Sequence, residues 1–178
     1  YGSDAIGGVM SFQTITPHLS DDDSLLASGK MVGRFSSANN ERTGHFDLSL
    51  GWKKFGSTTS FTYWDFDHLR QGSNGPEDYV KPYYVARQDD IDVVIAQEDE
   101  LLQIPTGYTQ LNVMQKFLYQ PSQDWEIIYG LQYSETSKYG RYDRHNRVRN
   151  ETARYAEWNY GPQLWMMNHL QLTQTTPN

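Results

Sequence analysis

Trp125-Glu126-Ile127-Ile128-Tyr129-Gly130-Leu131-Gln132-Tyr133-Ser134 alternates more cleanly than any other stretch of the chain. Trp125, Ile127, Tyr129, Leu131 and Tyr133 fall on one side of an extended backbone. Glu126, Ile128, Gly130, Gln132 and Ser134 fall on the other. Successive side chains of a strand point to opposite faces, so the pattern predicts a strand with one apolar face and one mixed face.

The same period recurs on both sides of it. Upstream, Leu111, Val113, Phe117 and Tyr119 oppose Gln110, Asn112, Met114 and Lys116 in a strand that follows Pro105-Thr106-Gly107. Gln120-Pro121-Ser122-Gln123-Asp124 makes the short turn between the two. Further back, Ala27, Gly29, Met31, Gly33 and Phe35 share a face, and so do Phe46, Leu48, Leu50 and Trp52, with the polar reversal 36–43 between them. A third early strand spans about Thr58 to Asp67, after the turn 53–57. It is less regular, with Phe61 and Tyr63 on one face and Trp64 and Phe66 on the other, and its far end is expected to rise above a membrane surface. Downstream, a sixth strand over Gln163–Thr173 places Leu164, Met166, Leu170 and Leu172 together, blurred by Trp165 and Met167 opposite.

After the first hairpin, short and long connections take turns: 53–57 is short, 68–106 long, 120–124 short and 135–161 long. Short turns at one end and long loops at the other are the asymmetry of outer-membrane barrels. A β-sandwich supplies strands too, but has no reason to sort its loops by length. Hydrophobic residues make up 37% of the 178 residues while aromatics reach 14%, too few apolar residues for an ordinary core and many ring side chains. A barrel wall needs only alternate residues to be apolar and carries aromatic girdles at both interfaces, as the aromatic residues bracketing the fifth strand suggest. No apolar run approaches the ~20 residues of a spanning helix, so any membrane crossing is by strands. There is no cysteine and hence no disulfide or thiolate metal site, and the net charge of −7 disfavours nucleic acid as a partner.

Candidate chemistry concentrates in the long loops. The stretch 139–150 carries Arg141, Arg144, Arg147 and Arg149 beside Tyr142 and His145. Arginine recognises planar anions through paired hydrogen bonds and stacks on aromatic faces, so these six residues form the candidate site for an anionic ligand. Their competing role is to neutralise the acidic loop at 89–100 or lipopolysaccharide phosphates. His145 is a candidate ligand for a metal or haem iron, although a lone loop histidine is more often merely exposed. Asp89, Asp90, Asp92, Glu98, Asp99 and Glu100 supply oxygens but not the spacing of a calcium loop. Between them, residues 91–95 are expected to form a small hairpin arm. Lys30, Arg34, Asp47, Asn112, Lys116, Glu126 and Gln132 are expected to point inward from the strands. No nucleophile elbow, zinc-protease motif or phosphate loop is present, so neither an enzyme nor a cofactor is expected.

The first residues, YGSDAIGGVMSFQT from Tyr1 to Thr14, read as a short glycine-bearing strand. The string resembles the segment that closes the plug domain of TonB-dependent outer-membrane receptors, just before the first barrel strand. The later strings SSANNERTGHFDLSLGWKKFGSTTSFTYWDFDHLRQGSNGP and EWNYGPQLWMMNHL are similar to receptors of Bacteroidetes-type bacteria, with haem and iron-complex receptors the nearest group. The resemblance implies an all-β internal fragment of a plugged transmembrane antiparallel β-barrel. Residues 1–14 would end the plug, 15–26 would be a linker, and 27–178 would be the first six strands of about 22. Gly2, Gly7 and Gly8 would pack the last plug strand against the barrel. The implied function is active import of an iron–siderophore, haem or similar nutrient across the bacterial outer membrane. Energy would come from the TonB–ExbB–ExbD complex through a TonB box upstream of Tyr1. Outer-membrane lipid and lipopolysaccharide would surround the wall. A passive porin or adhesin barrel remains the alternative, and an outer-membrane barrel protease a further one.

Overall fold

A computed structural model describes residues 10, 13–145, 147–150 and 152–176. Its frame is one six-stranded antiparallel sheet. In chain order the strands are β1 (Leu26–Ser36), β2 (Glu41–Gly51), β3 (Phe55–Phe66), β4 (Tyr108–Ser122), β5 (Trp125–Thr136) and β6 (Gln163–Gln174). Each pairs with the next, so the sheet is a simple meander with β1 and β6 at its edges. The turns 52–54 and 123–124 lie at one end of the sheet. The connections 37–40, 67–107 and 137–162 lie at the other. The fold class is therefore all-β, with the loops sorted by length after the first hairpin.

The turn expected over 53–57 closes within 52–54, and β3 begins at Phe55 rather than about Thr58 because Phe55, Gly56 and Ser57 already pair with β4. Two further boundaries differ, each for a local reason. The reversal expected over 36–43 closes within 37–40, where Asn40 takes a positive φ of 46°, a conformation asparagine tolerates. Strand β4 continues through Pro121. Proline has no N–H to give a ladder, but here the pairing shifts register between Tyr119 and Ser122, and such irregularities accommodate proline.

Register fixes which side chains share a face. Met31, Phe46, Phe61, Val113, Tyr133 and Met166 are successive cross-strand partners and form an unbroken apolar row. A second row of the same face runs Ala27, Leu50, Ser57, Phe117, Tyr129 and Leu170, separated from the first by the mixed row Gly29, Leu48, Thr59, Gln115, Leu131 and Asn168. The opposite face is polar: Lys30, Asp47, Ser60, Met114, Gln132 and Met167 form one row, and Val32, His45, Thr62, Asn112, Ser134 and Trp165 the next. All seven polar residues expected to point the same way, from Lys30 to Gln132, lie on this second face. Polar neighbours bind one another there. His45 Nδ1 lies 2.8 Å from Thr62 Oγ1 and its Nε2 3.0 Å from Asp47 Oδ2, while Ser134 Oγ donates to Asn112 Oδ1 at 2.7 Å.

The apolar face is uncovered. Met31 is 81% exposed, Leu164 67% and Leu170 62%, which is far from the burial such residues take in a core. A few polar groups on this face are satisfied within it: Thr59 Oγ1 donates to Gln115 Oε1 at 2.6 Å, and Gln115 Nε2 to Ser57 Oγ at 2.9 Å.

Apart from single residues such as Glu41 and Gly130, burial is concentrated in two small places. The first lies on the polar face, where the segment 13–20 crosses the sheet. Pro17 is fully buried, together with Thr58 and Leu118. Gly51 and Gly56 are cross-strand partners, and a Cβ on either would lie 2.5 or 2.8 Å from the His18 carbonyl oxygen. Only glycine lets the backbone approach this closely. Ser20 N donates to Trp52 O at 3.1 Å, and Lys116 Nζ donates to the Thr14 carbonyl at 3.2 Å. The second buried place is the pair of long loops. Gly2, Gly7 and Gly8, assigned a packing role from the sequence, lie outside the described residues.

Candidate functional site

The two long connections fold into a cap over one end of the sheet. The first contains the expected hairpin, larger than the sequence suggested: Tyr83–Gln88 pairs with Ile91–Ala96. Asp89 and Asp90 form its two-residue turn with φ of 46° and 64°. Two successive positive φ values match the twist of a tight hairpin, and aspartate reaches them more easily than most residues. The second connection leaves β5 through Tyr139–Gly140, which pairs with Asn159–Tyr160. It then makes one helical turn over Tyr142–His145.

A close backbone approach and a hydrogen bond join the loops. A Cβ on Gly140 would meet the Pro105 carbonyl oxygen at 2.7 Å, so that glycine seats one loop on the other. Ala156 N donates to Asp92 Oδ2 at 3.1 Å. Val85 and Ala156 are both buried, one from each loop. A column of rings links cap and sheet on the polar face: Phe66 to Tyr108 at 4.8 Å, Tyr108 to Tyr139 at 5.5 Å and Tyr139 to Tyr160 at 5.7 Å. This column accounts for Phe66 on the polar face of β3. Phe61 and Tyr63 belong to the apolar face, and Phe66 begins the path into the cap.

The arginine-rich stretch divides in two. Arg141 Nε donates to Asp143 Oδ1 at 2.8 Å, and Arg144 Nε lies 3.5 Å from Asp143 Oδ2 without hydrogen-bond geometry. Both guanidinium groups stand over the Trp158 ring, 5.8 Å and 5.4 Å from its centre. The hydrogen bond from Arg141, with the nearby charges of Arg144 and Arg147, holds the Asp143 carboxyl below the usual carboxylate range. The same bond raises Arg141. Arg147 and Arg149 are exposed and have no ion-pair partner among the described residues.

Two expectations about this stretch change. His145, taken as an exposed loop histidine if not a ligand, is 1% exposed. Its Nε2 sits 2.9 Å from the Trp158 carbonyl and 3.2 Å from the Trp158 N–H. One ring nitrogen serves only one of these at a time. Nδ1 has no partner among the described residues, nor does the buried Tyr142 hydroxyl. Burial, with Tyr83 nearby, pushes the Tyr142 phenol up from its ordinary value. The competing role of the arginines, neutralising the acidic loop, is also not what is seen among the described residues. Asp99 pairs with Arg70 and Asp92 with Arg87, each within its own loop. Asp92 reaches across only to the Ala156 backbone. That N–H first, and Arg87 second, lower the Asp92 carboxyl. No group of three or more candidate ligands stands together to hold a metal ion among the described residues.

Trp158, Asp143 and Pro105 organise the cap without having been singled out from the sequence. A tryptophan a short distance after an arginine-rich stretch was the available signal, because arginine stacks on indole. A cleft of about 400 Å³ opens where the cap meets the sheet, lined by residues including Asn40, Arg42, Asp67, His68, Tyr108 and Ser137. His68 Nδ1 accepts from Thr106 N at 3.1 Å and Gly107 N at 3.0 Å, fixing the return of the first loop into β4. No family model, no curated protein and no solved structure matches the chain.

Proposed function

We propose that the sheet is part of the wall of a bacterial outer-membrane β-barrel, and that the protein is a TonB-dependent importer of a small nutrient ligand such as an iron–siderophore or haem. The observation that carries the wall is the division of the sheet. Its apolar rows lie uncovered across every strand, while its polar face is hydrogen-bonded and crossed by the chain segment 13–20. Monomeric soluble proteins rarely expose an apolar patch of this extent. A barrel wall does so because lipid covers one face and a hydrated or plugged lumen the other. The loop lengths support the same orientation, with the cap outside the cell and the turns 52–54 and 123–124 in the periplasm.

The finer step, from wall to importer, rests on the resemblance of residues 1–14 to a plug-closing segment. It is supported by the seating of 13–20 on the inward face. In this reading the cap meets the ligand. Arg141 and Arg144 are committed to Asp143 and Trp158 and shape the site, while the exposed Arg147 and Arg149, which have no ion-pair partner among the described residues, offer their guanidinium groups to an anion. The TonB–ExbB–ExbD complex then drives the plug from the periplasm.

The test is uptake of radio-iron haem and ferric siderophores by cells producing the full-length protein. Import of at least one of them is expected to stop on loss of TonB or collapse of the proton gradient. Uptake indifferent to both would replace the importer with a passive pore. Recovery of the protein outside the outer membrane would remove the wall as well.

A further inference from the structure

The two halves of the cap carry opposite charge. The connection 67–107 holds nine acidic residues and three basic ones, and the connection 137–162 holds six basic and three acidic. Contact between the halves does not use this difference. They meet through Gly140 on Pro105 and the Ala156 N–H on Asp92, and no ion pair joins them among the described residues. On the acidic side, Asp89 and Asp90 stand exposed at the hairpin tip. On the basic side, Arg147, Arg149 and Arg154 are exposed and have no ion-pair partner among the described residues. Asp90 is near enough to Arg87, and Arg147 to Asp143, to feel its charge, but neither makes an ion pair there. Arg149 is the ladder partner of Thr152, and Thr152–Ala153 packs beside Ile91–Ala96. The arginine side therefore lies directly beside the acidic hairpin. Ile91, next to the tip, is 64% exposed.

We infer that the cap pairs with the cap of a second copy of this chain about a two-fold axis, the acidic hairpin of each against the arginines of the other. A patch with one sign beside the other is complementary to itself after half a turn, and every contact it makes is then made twice. A patch of a single sign would need a different partner. One exposed ion pair contributes little, so the association rests on several charges of each sign acting together. Ile91 gives the contact an apolar centre within that charged rim. Of the readings above, only the wall is needed: two barrels in one membrane hold their caps at the same height, on the same side. Arg149, offered to an anion above, is shared, so pairing belongs to the ligand-free protein.

The experiment is sedimentation of the full-length protein, purified from outer membranes in non-ionic detergent without added ligand, at about 0.05 M and about 0.5 M salt. The wild type is expected to pair at low salt and about tenfold more weakly at high salt. Arg149→Glu/Arg154→Glu makes both sides of the cap acidic. Gln88→Lys/Asp89→Asn/Asp90→Asn makes the tip basic, and asparagine keeps the positive φ of the turn. Each variant alone is expected to sediment as a monomer, and an equal mixture of the two as a mixed pair. Ile91→Ser is expected to weaken the wild-type pair about tenfold at both salt concentrations. A wild type that is monomeric at low salt, pairing that ignores salt, or two variants that stay apart when mixed would each overturn the inference. Membrane fractionation of the same cells reads the wall separately. A protein that resides in the outer membrane and sediments as a monomer removes the pairing alone, whereas one that pairs but is found outside that membrane removes the wall alone.

Discussion

Asp92 is the residue on which the two halves of the cap lean. It accepts from the Ala156 N–H across the loops and from Arg87 within its own. Both hydrogen bonds favour its charged form, so its carboxyl titrates below the ordinary value. A carboxyl lowered on folding contributes stability at pH above its unfolded value, about 3.9, and loses that contribution as the pH falls through the lower folded value. Asp143, lowered mainly by Arg141, moves the same way. The cap is therefore expected to loosen in acid below about pH 4 while the sheet remains paired. The amide chemical shift of Ala156 followed through an acid titration checks this. A shift that stays flat as Asp92 protonates would show that the contact does not hold the loops. Asp92 and its neighbours were visible in the sequence only as an acidic group. Their partners were not, because Arg70, Arg87 and the Ala156 backbone are brought to them by hairpin and loop geometry that period-2 reasoning does not reach. The burial of His145 was hidden for the same reason. A histidine's surroundings in a long loop depend on which distant segment returns over it, here Trp158.

At the scale of the strand, alternation was a good guide wherever one face was wholly apolar, as in β5. It faltered where a strand carries rings on both faces, as in β3 and β6. Phe66 serves the ring column, and Trp165 lines a cleft on the polar face with Tyr108 and Tyr139. It also faltered at the start of β2, where Thr43, Gly44 and His45 give no apolar alternation to follow although they pair fully with β1 and β3. Gly51 and Gly56 are strand glycines with a specific reason, the approach of the His18 carbonyl. Gly51→Val or Gly56→Val is expected to leave the ladders of β2 and β3 intact but to lift the segment 13–20 from the polar face. Hydrogen exchange at Ser20, whose N–H is bound to the Trp52 carbonyl, is expected to speed at least tenfold, with little change at Phe46 or Phe61. Unchanged protection at Ser20 would mean that Pro17 and Lys116 hold the segment without the glycines.

For the molecule as a whole, the sheet, its meander order and its sorted loops were legible in the sequence because they follow from alternation and turn spacing. The shape of the cap was not, because it is built from pairs such as Gly140 with Pro105. The division of faces makes a contrast that can be measured. Val113→Arg lies within the uncovered apolar row, and if lipid covers that row the charge is expected to cost about 2–4 kcal/mol of folding into bilayers. Ser60→Lys, on the polar face, is expected to fold at nearly the wild-type level. Equal yields of the two variants in vesicles would argue that no bilayer covers the apolar rows. The crossing of the polar face by residues 13–20 has a mechanical meaning beyond packing. Going along the chain, Thr14 is held by Lys116, Ser20 by Trp52 and Asp23 by Lys53, with the His18 backbone seated close over the glycine pair between them, all before β1 begins. Tension applied upstream meets these fastenings one after another and is shed into β2, β3 and β4 from the side. The segment acts as strain relief on a cable: force along it is carried sideways into these strands, and the edge strand β1 is spared from being peeled off its neighbour.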